Sequence, residues 1–216
     1  MHLSRKDLKE LDKIKRLNII NAVSGIKSGN LIGTISNNQQ TNLAVFSSVV
    51  HLGSNPALLG FITRPDVKVP RHTLENIKEN GLYTINHIHE SIIEQAHYTS
   101  AKFDKEQSEF ELCGLTEEYL LGFKAPFVKE SHLKLGMQFL EALPIKANGT
   151  ELIIGKITDV FIPDDAIDKH GHIDIGQTKT VGISGLNNYY QVQKIASFPY
   201  ARVDELSDFS NLLGIT

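Results

Sequence analysis

Residues 42–63 read NLAVFSSVVHLGSNPALLGFIT. Two runs here, Asn42–Val50 and Leu58–Thr63, are rich in Val, Phe, Leu and Ile, and Gly, Asn and Pro break them apart, which is the texture of short strands separated by turns. It extends in both directions, through Ala22–Ile26 and Leu31–Ser36 on one side and Leu82–Ile88 on the other. Gly29-Asn30 and Asn37-Asn38 are turn-type pairs between these runs. Further on, Leu133, Leu135, Met137 and Phe139 alternate with Lys134, Gly136 and Gln138, and Glu151–Ile162 forms a second arm across an Asn148-Gly149 turn. Asn148-Gly149-Thr150 is also a glycosylation sequon, but the chain opens with no secretory signal and the turn reading takes precedence. The pattern predicts a mainly β chain with peripheral helices, an antiparallel barrel or sandwich.

Helices punctuate it. Ser4 and Asp7 form a variant capping box, and Leu8, Leu11, Ile14 and Leu17 predict an amphipathic helix that packs onto the body. Residues 1–18 then form a helical extension of one domain spanning 1–216. Thr73–Asn80 has Thr73 as candidate N-cap and Gly81 past its end. Ser91–Tyr98 begins with Ser91 and Glu94 at capping-box spacing.

The 216 residues carry 22 Lys and Arg against 25 Asp and Glu, a net charge of −3, with 41% apolar and 22% charged residues. A dedicated nucleic-acid binder needs a basic excess that is missing here. No run approaches the roughly 18–20 apolar residues of a membrane helix. One cysteine excludes an intrachain disulfide framework. A soluble, cytoplasmic protein is expected, without membrane or nucleic-acid partners.

Standard motifs are missing: no G-x-G-x-x-G after a strand, no P-loop, no G-x-S-x-G, no C-x-x-C. Cys113 reads as a small buried or half-buried thiol. His87-x-His89 and His170-x-His172 have spacings that put two imidazoles on one side, but no ligand cluster accompanies either, so no metal is expected. More informative is the run from Thr63-Arg64-Pro65 to Pro70-Arg71-His72-Thr73 at a helix start. A helix N-terminus offers unpaired N–H groups and partial positive charge, and with Arg64, Arg71, Thr63 and Thr73 it could hold a phosphate monoester. Ser47 and Ser48 come close if Asn42–Phe46 pairs with Leu58–Thr63. On local chemistry alone the plainer account is favoured: Thr73 caps the helix and the arginines are surface residues.

Taken in order, Asn42–Ser48, Asn55–Phe61, Thr63-Arg64-Pro65, Arg71–Ile77, Tyr83–Asn86, Thr99–Phe103, Phe110–Thr116, Leu152–Gly155 and Gly185–Tyr190 resemble the flavin reductase-like family over roughly residues 20–200. The resemblance implies an FMN-binding split β-barrel, antiparallel and Greek-key-like, that forms a homodimer. It implies that the Phe46-Ser47-Ser48-Val49 segment lines the isoalloxazine and ribityl chain and that Asn42 is among the cofactor-binding residues. Thr63, Arg64, Arg71, His72 and Thr73 match the phosphate-holding positions, which reverses the preference for a plain cap. Ser100, Ala101 and Phe103 match a loop that approaches flavin, often across the dimer interface, and Tyr189 a C-terminal aromatic near the cofactor. His72 stands where an acid is common, adding positive charge when protonated.

The implied activity passes hydride from NADH or NADPH through FMN to an acceptor the sequence leaves open. It demands no side-chain nucleophile or acid–base pair. The alternatives are a non-catalytic FMN electron carrier, and a pyridoxamine-phosphate-oxidase-like or haem-handling split-barrel protein.

Overall fold

A computed structural model describes residues 1–65 and 70–202. In chain order the elements are α1 (Arg5–Glu10), α2 (Lys13–Ala22), β1 (Lys27–Ser28), β2 (Asn30–Ile35), β3 (Thr41–Phe46), β4 (Val50–Ser54), β5 (Ala57–Thr63), α3 (His72–Asn80), β6 (Leu82–His87), α4 (Ile93–Tyr98), α5 (Glu109–Cys113), β7 (Glu117–Glu118), β8 (Phe127–Val128), β9 (Lys134–Ile145), β10 (Thr150–Phe161), β11 (Val181–Ser184) and β12 (Asn188–Gln191).

Seven strands form one antiparallel sheet in the order β3-β2-β6-β9-β10-β5-β4. Its two edge strands, β3 and β4, are joined by Ser47–Val49 alone. That link reaches no further than roughly 15 Å, whereas six interstrand spacings of a flat sheet would separate the edges by about 29 Å. The sheet must therefore curl on itself, leaving its open seam between β3 and β4. Ser48 sits on that seam: its hydroxyl accepts from Ile62 N at 3.0 Å and donates to Ile62 O at 3.3 Å, serving the β5 backbone next to the β4 pairing. Ser48→Ala leaves both backbone groups unpaired, and we expect a loss of about 1–2 kcal/mol, seen as a lower urea midpoint at unchanged slope.

The barrel interior holds Ile32, Phe61, Tyr83, Ile85, Met137 and Ile153, all fully buried, and α3 adds Leu74 and Ile77. Because successive strand residues face opposite ways, Leu31 and Leu43 join an outer cluster with Ile88, Phe110, Val181 and Ile183 under α4, α5 and a small β1-β11-β12 sheet. The β9–β10 hairpin turns at Asn148-Gly149 as expected, with Gly149 at φ 74 and the Asn148 carboxamide oxygen accepting from both Thr150 N and Oγ1.

Four local expectations are corrected. The N-terminal helix is two helices: Ser4 caps α1 with its capping box, but Asp12 starts α2 by accepting from Lys15 N. Neither helix has a buried residue, and Ile14, Leu17 and Ile20 are exposed. The reason is in the spacing: apolar residues every third position fall behind the helical repeat by about 60° per step, so Leu8 and Leu17 do not share a face. The expected strand Ala22–Ile26 is lost to the end of α2 and a turn at Gly25 (φ 80), and only Lys27–Ser28 pairs, with β11. Gly29-Asn30 is no turn: Asn30 opens β2, while Gly29 N donates to Val181 O. Finally, a single 3-10 turn over Glu90–Ile92, capped by His89 accepting from Ser91 N, precedes α4, in place of a Ser91 capping box.

Candidate functional site: the α3 corner and the β3 edge

The mouth of the barrel near the end of β5 is covered by α3, which is seated by side-chain amides. Asn76 Nδ2 donates to Thr34 Oγ1 at 3.1 Å and Asn80 Nδ2 to Ile35 O at 2.6 Å. Gly81, at φ 71, ends the helix in the left-handed conformation glycine favours.

Its other end is where charge gathers. The N-cap is Arg71, whose own side chain does not cap the helix. Its first turn closes with Glu75 N donating to Arg71 O at 3.0 Å, so the amides of His72, Thr73 and Leu74 precede the first helical bond and have no intrahelical acceptor. Thr73, read as the cap, lies inside the helix. Its hydroxyl accepts from Asn42 Nδ2 at 3.0 Å, both residues being buried. That bond occupies a lone pair and leaves the Thr73 hydroxyl hydrogen free to donate. Arg71 is half-buried, and its Nε is buried with no hydrogen-bond partner among the described residues. An unpaired donor on a charged group is costly to bury unless a ligand completes it.

Around this corner the other predicted residues fall unevenly. Arg64 is exposed just past β5, and His72 is half-buried at the helix start. Thr63 is buried, with its hydroxyl 3.5 Å from Glu151 O on β10. Residues 66–69 of the expected phosphate loop lie outside the described residues. At the end of β3, Phe46 packs edge-on against Phe61 with ring centroids 5.0 Å apart, and Val49 joins the same interior cluster. Both side chains thus belong to the barrel core. The Ser48 hydroxyl, expected beside the ring, is used up by Ile62, and Ser47 stands half-buried at the bend.

A second group lies elsewhere. Tyr189 packs with Val45 and Ile93 on the outer cluster, the face of β3 opposite Asn42, and its hydroxyl is 3.2 Å from His97 Nδ1. Ser100 donates to its own turn at His97 O (2.7 Å), Ala101 is exposed, and Phe103 is half-buried. The 99–108 loop that carries them crosses the β3 edge back to the corner. Ser108 Oγ is 2.7 Å from Thr41 Oγ1, Glu109 accepts from Leu43 N at 2.9 Å, and Lys105 Nζ meets Glu75 Oε2 at 2.7 Å. Sequence reasoning missed these three ties. Only Glu75 in the first turn of α3 was visible locally, and its partner lies thirty residues away.

Away from the corner, burial shifts several titratable groups. Burial pushes the Glu109 carboxyl up, and burial and then Glu109 raise the Cys113 thiol, which makes it a poor nucleophile at neutral pH. Burial also raises the Tyr189 hydroxyl. His87 is driven down to about 4 by burial, and His89 is lowered by burial and by the stacked His132, ring centroids 4.2 Å apart. Among the described residues no three His, Cys, Asp or Glu side chains come together as a metal site. No helix among them is long and apolar enough to cross a membrane.

The start of α3, the Arg71 side chain and a Thr73 hydroxyl held by Asn42 form one corner near the barrel seam. The same architecture is found in known proteins. A split-barrel protein from Shewanella frigidimarina NCIMB 400, described as a candidate flavin reductase, is 52% identical, with TM-score 0.89 over 93% of this chain and 100% of the other. Nitrilotriacetate monooxygenase component B from Bacillus cereus has the same fold at 18% identity, TM-score 0.80, over 92% of this chain and 98% of its own. So does flavoredoxin of Desulfovibrio vulgaris (Miyazaki F), 20% identical, TM-score 0.70, over 82% and 92%. The model of the flavin reductase like domain matches residues 23–178, most of the chain, and the protein belongs to that family.

Proposed function

We propose that this protein, a flavin-dependent oxidoreductase by family, binds FMN with its phosphate at the N-terminus of α3 and passes hydride equivalents from NADH or NADPH to a second acceptor. Bound FMN would supply the hydride and single-electron chemistry, for which the side chains here have no equivalent.

The chain's own part is binding, orientation and exclusion of water. Arg71 and Arg64 supply fixed positive charge, and the amides of His72, Thr73 and Leu74 supply donors aligned with the helix dipole. Asn42 holds the Thr73 hydroxyl so that its proton is available to the same anion. The backbone of residues 46–49, unable to pair across the open seam, is free to meet the ring edge. Phe103, half-buried on the 99–108 loop, is the aromatic available to cover the ring and keep water away, whereas Tyr189 packs on the opposite face of β3. The same reading makes the protein a single domain with an N-terminal extension, paired as a homodimer in the cytoplasm. The exposed Ile14, Leu17 and Ile20 of α2 support such pairing.

The observation that carries the proposal is the buried Arg71 Nε, without a partner among the described residues, at the start of a helix that its own N-cap side chain does not cap. Titration of the full chain with FMN and with riboflavin, read by flavin fluorescence, tests it. FMN should bind about tenfold tighter or more, because only FMN offers the phosphate. Equal affinities would overturn the assignment.

A further inference from the structure

The corner contains a feature that works against an anion. Glu75 lies in the first turn of α3, two residues from Thr73. A carboxylate there stabilises an isolated helix by meeting its dipole, but it repels any second anion brought to the same end. Left alone, it would cancel half the charge that Arg64 and Arg71 provide. It is not left alone: Lys105 reaches across from the 99–108 loop and pairs with it at 2.7 Å. Both side chains remain partly exposed, 48% and 40%, so the contact adds little to folding. Its contribution must be sought in what it does to its surroundings.

We infer that Lys105 is a positioning residue of the phosphate site: by neutralising Glu75 it keeps the α3 corner net positive, and it ties the loop bearing Ser100, Ala101 and Phe103 to the corner of its own protomer. This rests on the phosphate assignment above and adds a residue from a separate segment to it. The loop is anchored at both ends, by Thr99 Oγ1 donating to Ala96 O (2.8 Å) and by Ser108 and Glu109 on β3, so Lys105 pins its middle. Glu79 and Glu106 also act on the Lys105 ammonium and favour its charged form, so it stays cationic whether or not ligand is bound.

The test is a charge cycle read by FMN and riboflavin titrations of the full chain at low and high ionic strength. Lys105→Met should weaken FMN about threefold to tenfold at low salt and leave riboflavin unchanged, with the loss shrinking as salt rises. Lys105→Arg should bind as the parent does. Glu75→Gln in the Lys105→Met background should restore FMN affinity, because the uncompensated carboxylate is then gone. Parent-like FMN affinity in Lys105→Met overturns the inference. So does an equal loss for FMN and riboflavin, which would mean that the pair only braces the loop. If Arg71→Ala lowers FMN affinity while Lys105→Met does not, the phosphate assignment stands and this inference alone fails. If the parent does not distinguish FMN from riboflavin, both fail.

Discussion

Gly33→Ala is expected to destabilise the fold by roughly 3–5 kcal/mol, the largest loss we foresee for a single methyl group in this chain. Gly33 lies mid-way along β2, paired with Leu43 on one side and Thr84 on the other. The segment leading into β8 crosses directly over it, and Thr84 Oγ1 donates to Pro126 O at 2.7 Å across its Cα. A Cβ built on Gly33 would sit 2.3 Å from Pro126 O and 2.6 Å from Thr84 Oγ1. Neither neighbour can give way cheaply. One is backbone, fixed where Ala125 and Phe127 are fully buried, and the other is a fully buried hydroxyl on β6, an interior strand of the sheet. The methyl group must either break the Thr84–Pro126 bond or lift the crossing segment off the sheet. For a chain of this size the loss corresponds to a melting temperature lower by roughly 10 °C or more, read by circular dichroism. Recovery only as insoluble material would be the same result in stronger form. A melt within about 2 °C of the parent would show that the crossing is not packed as described.

Why Gly33 matters could not be seen from its neighbours in sequence, and this marks the boundary of what the sequence disclosed. The β9–β10 hairpin was legible because both of its signals are local: alternation from Leu133 to Phe139 places one face inward, and Asn148-Gly149 takes the turn. The strand runs at 31–36, 58–63 and 82–88 were found for the same reason, within a residue or two. What went wrong depended on partners far along the chain. Thr73 has the composition of an N-cap, but Asn42 claims its hydroxyl, and the helix starts at His72 with Arg71 as N-cap. Ser48 has the composition of a ligand-facing hydroxyl, but Ile62 claims both of its bonds. In each case a local preference of about 1 kcal/mol gave way to a tertiary hydrogen bond, and no one-dimensional pattern records that. The arginines could be singled out because their charge beside a helix start needs no distant partner to be noticed. The family resemblance supplied what composition could not, namely that a barrel with an open seam is the context in which the corner sits.

Arg71→Ala should weaken FMN binding by about 1.5–3 kcal/mol, roughly tenfold to 150-fold in dissociation constant, and leave riboflavin binding nearly unchanged. The magnitude is that of a charge-assisted hydrogen bond lost from a half-buried site. The accompanying effect on stability is what separates a ligand-holding arginine from a structural one. Among the described residues Arg71 Nε is buried without a partner, so its removal should leave the melting temperature of the ligand-free chain unchanged or slightly higher. A structural arginine would lose stability and ligand affinity together. Arg71→Lys should recover only part of the affinity: an ammonium restores the charge but not the planar fork, and it has no counterpart to the Nε donor. Titrations with both flavins, paired with melts of the ligand-free variants, give the two readouts. An Arg71→Ala protein that keeps the parent's preference for FMN over riboflavin would remove the phosphate from this corner, because Arg64 is exposed and Thr63 faces β10, and neither could hold a dianion at the helix end alone.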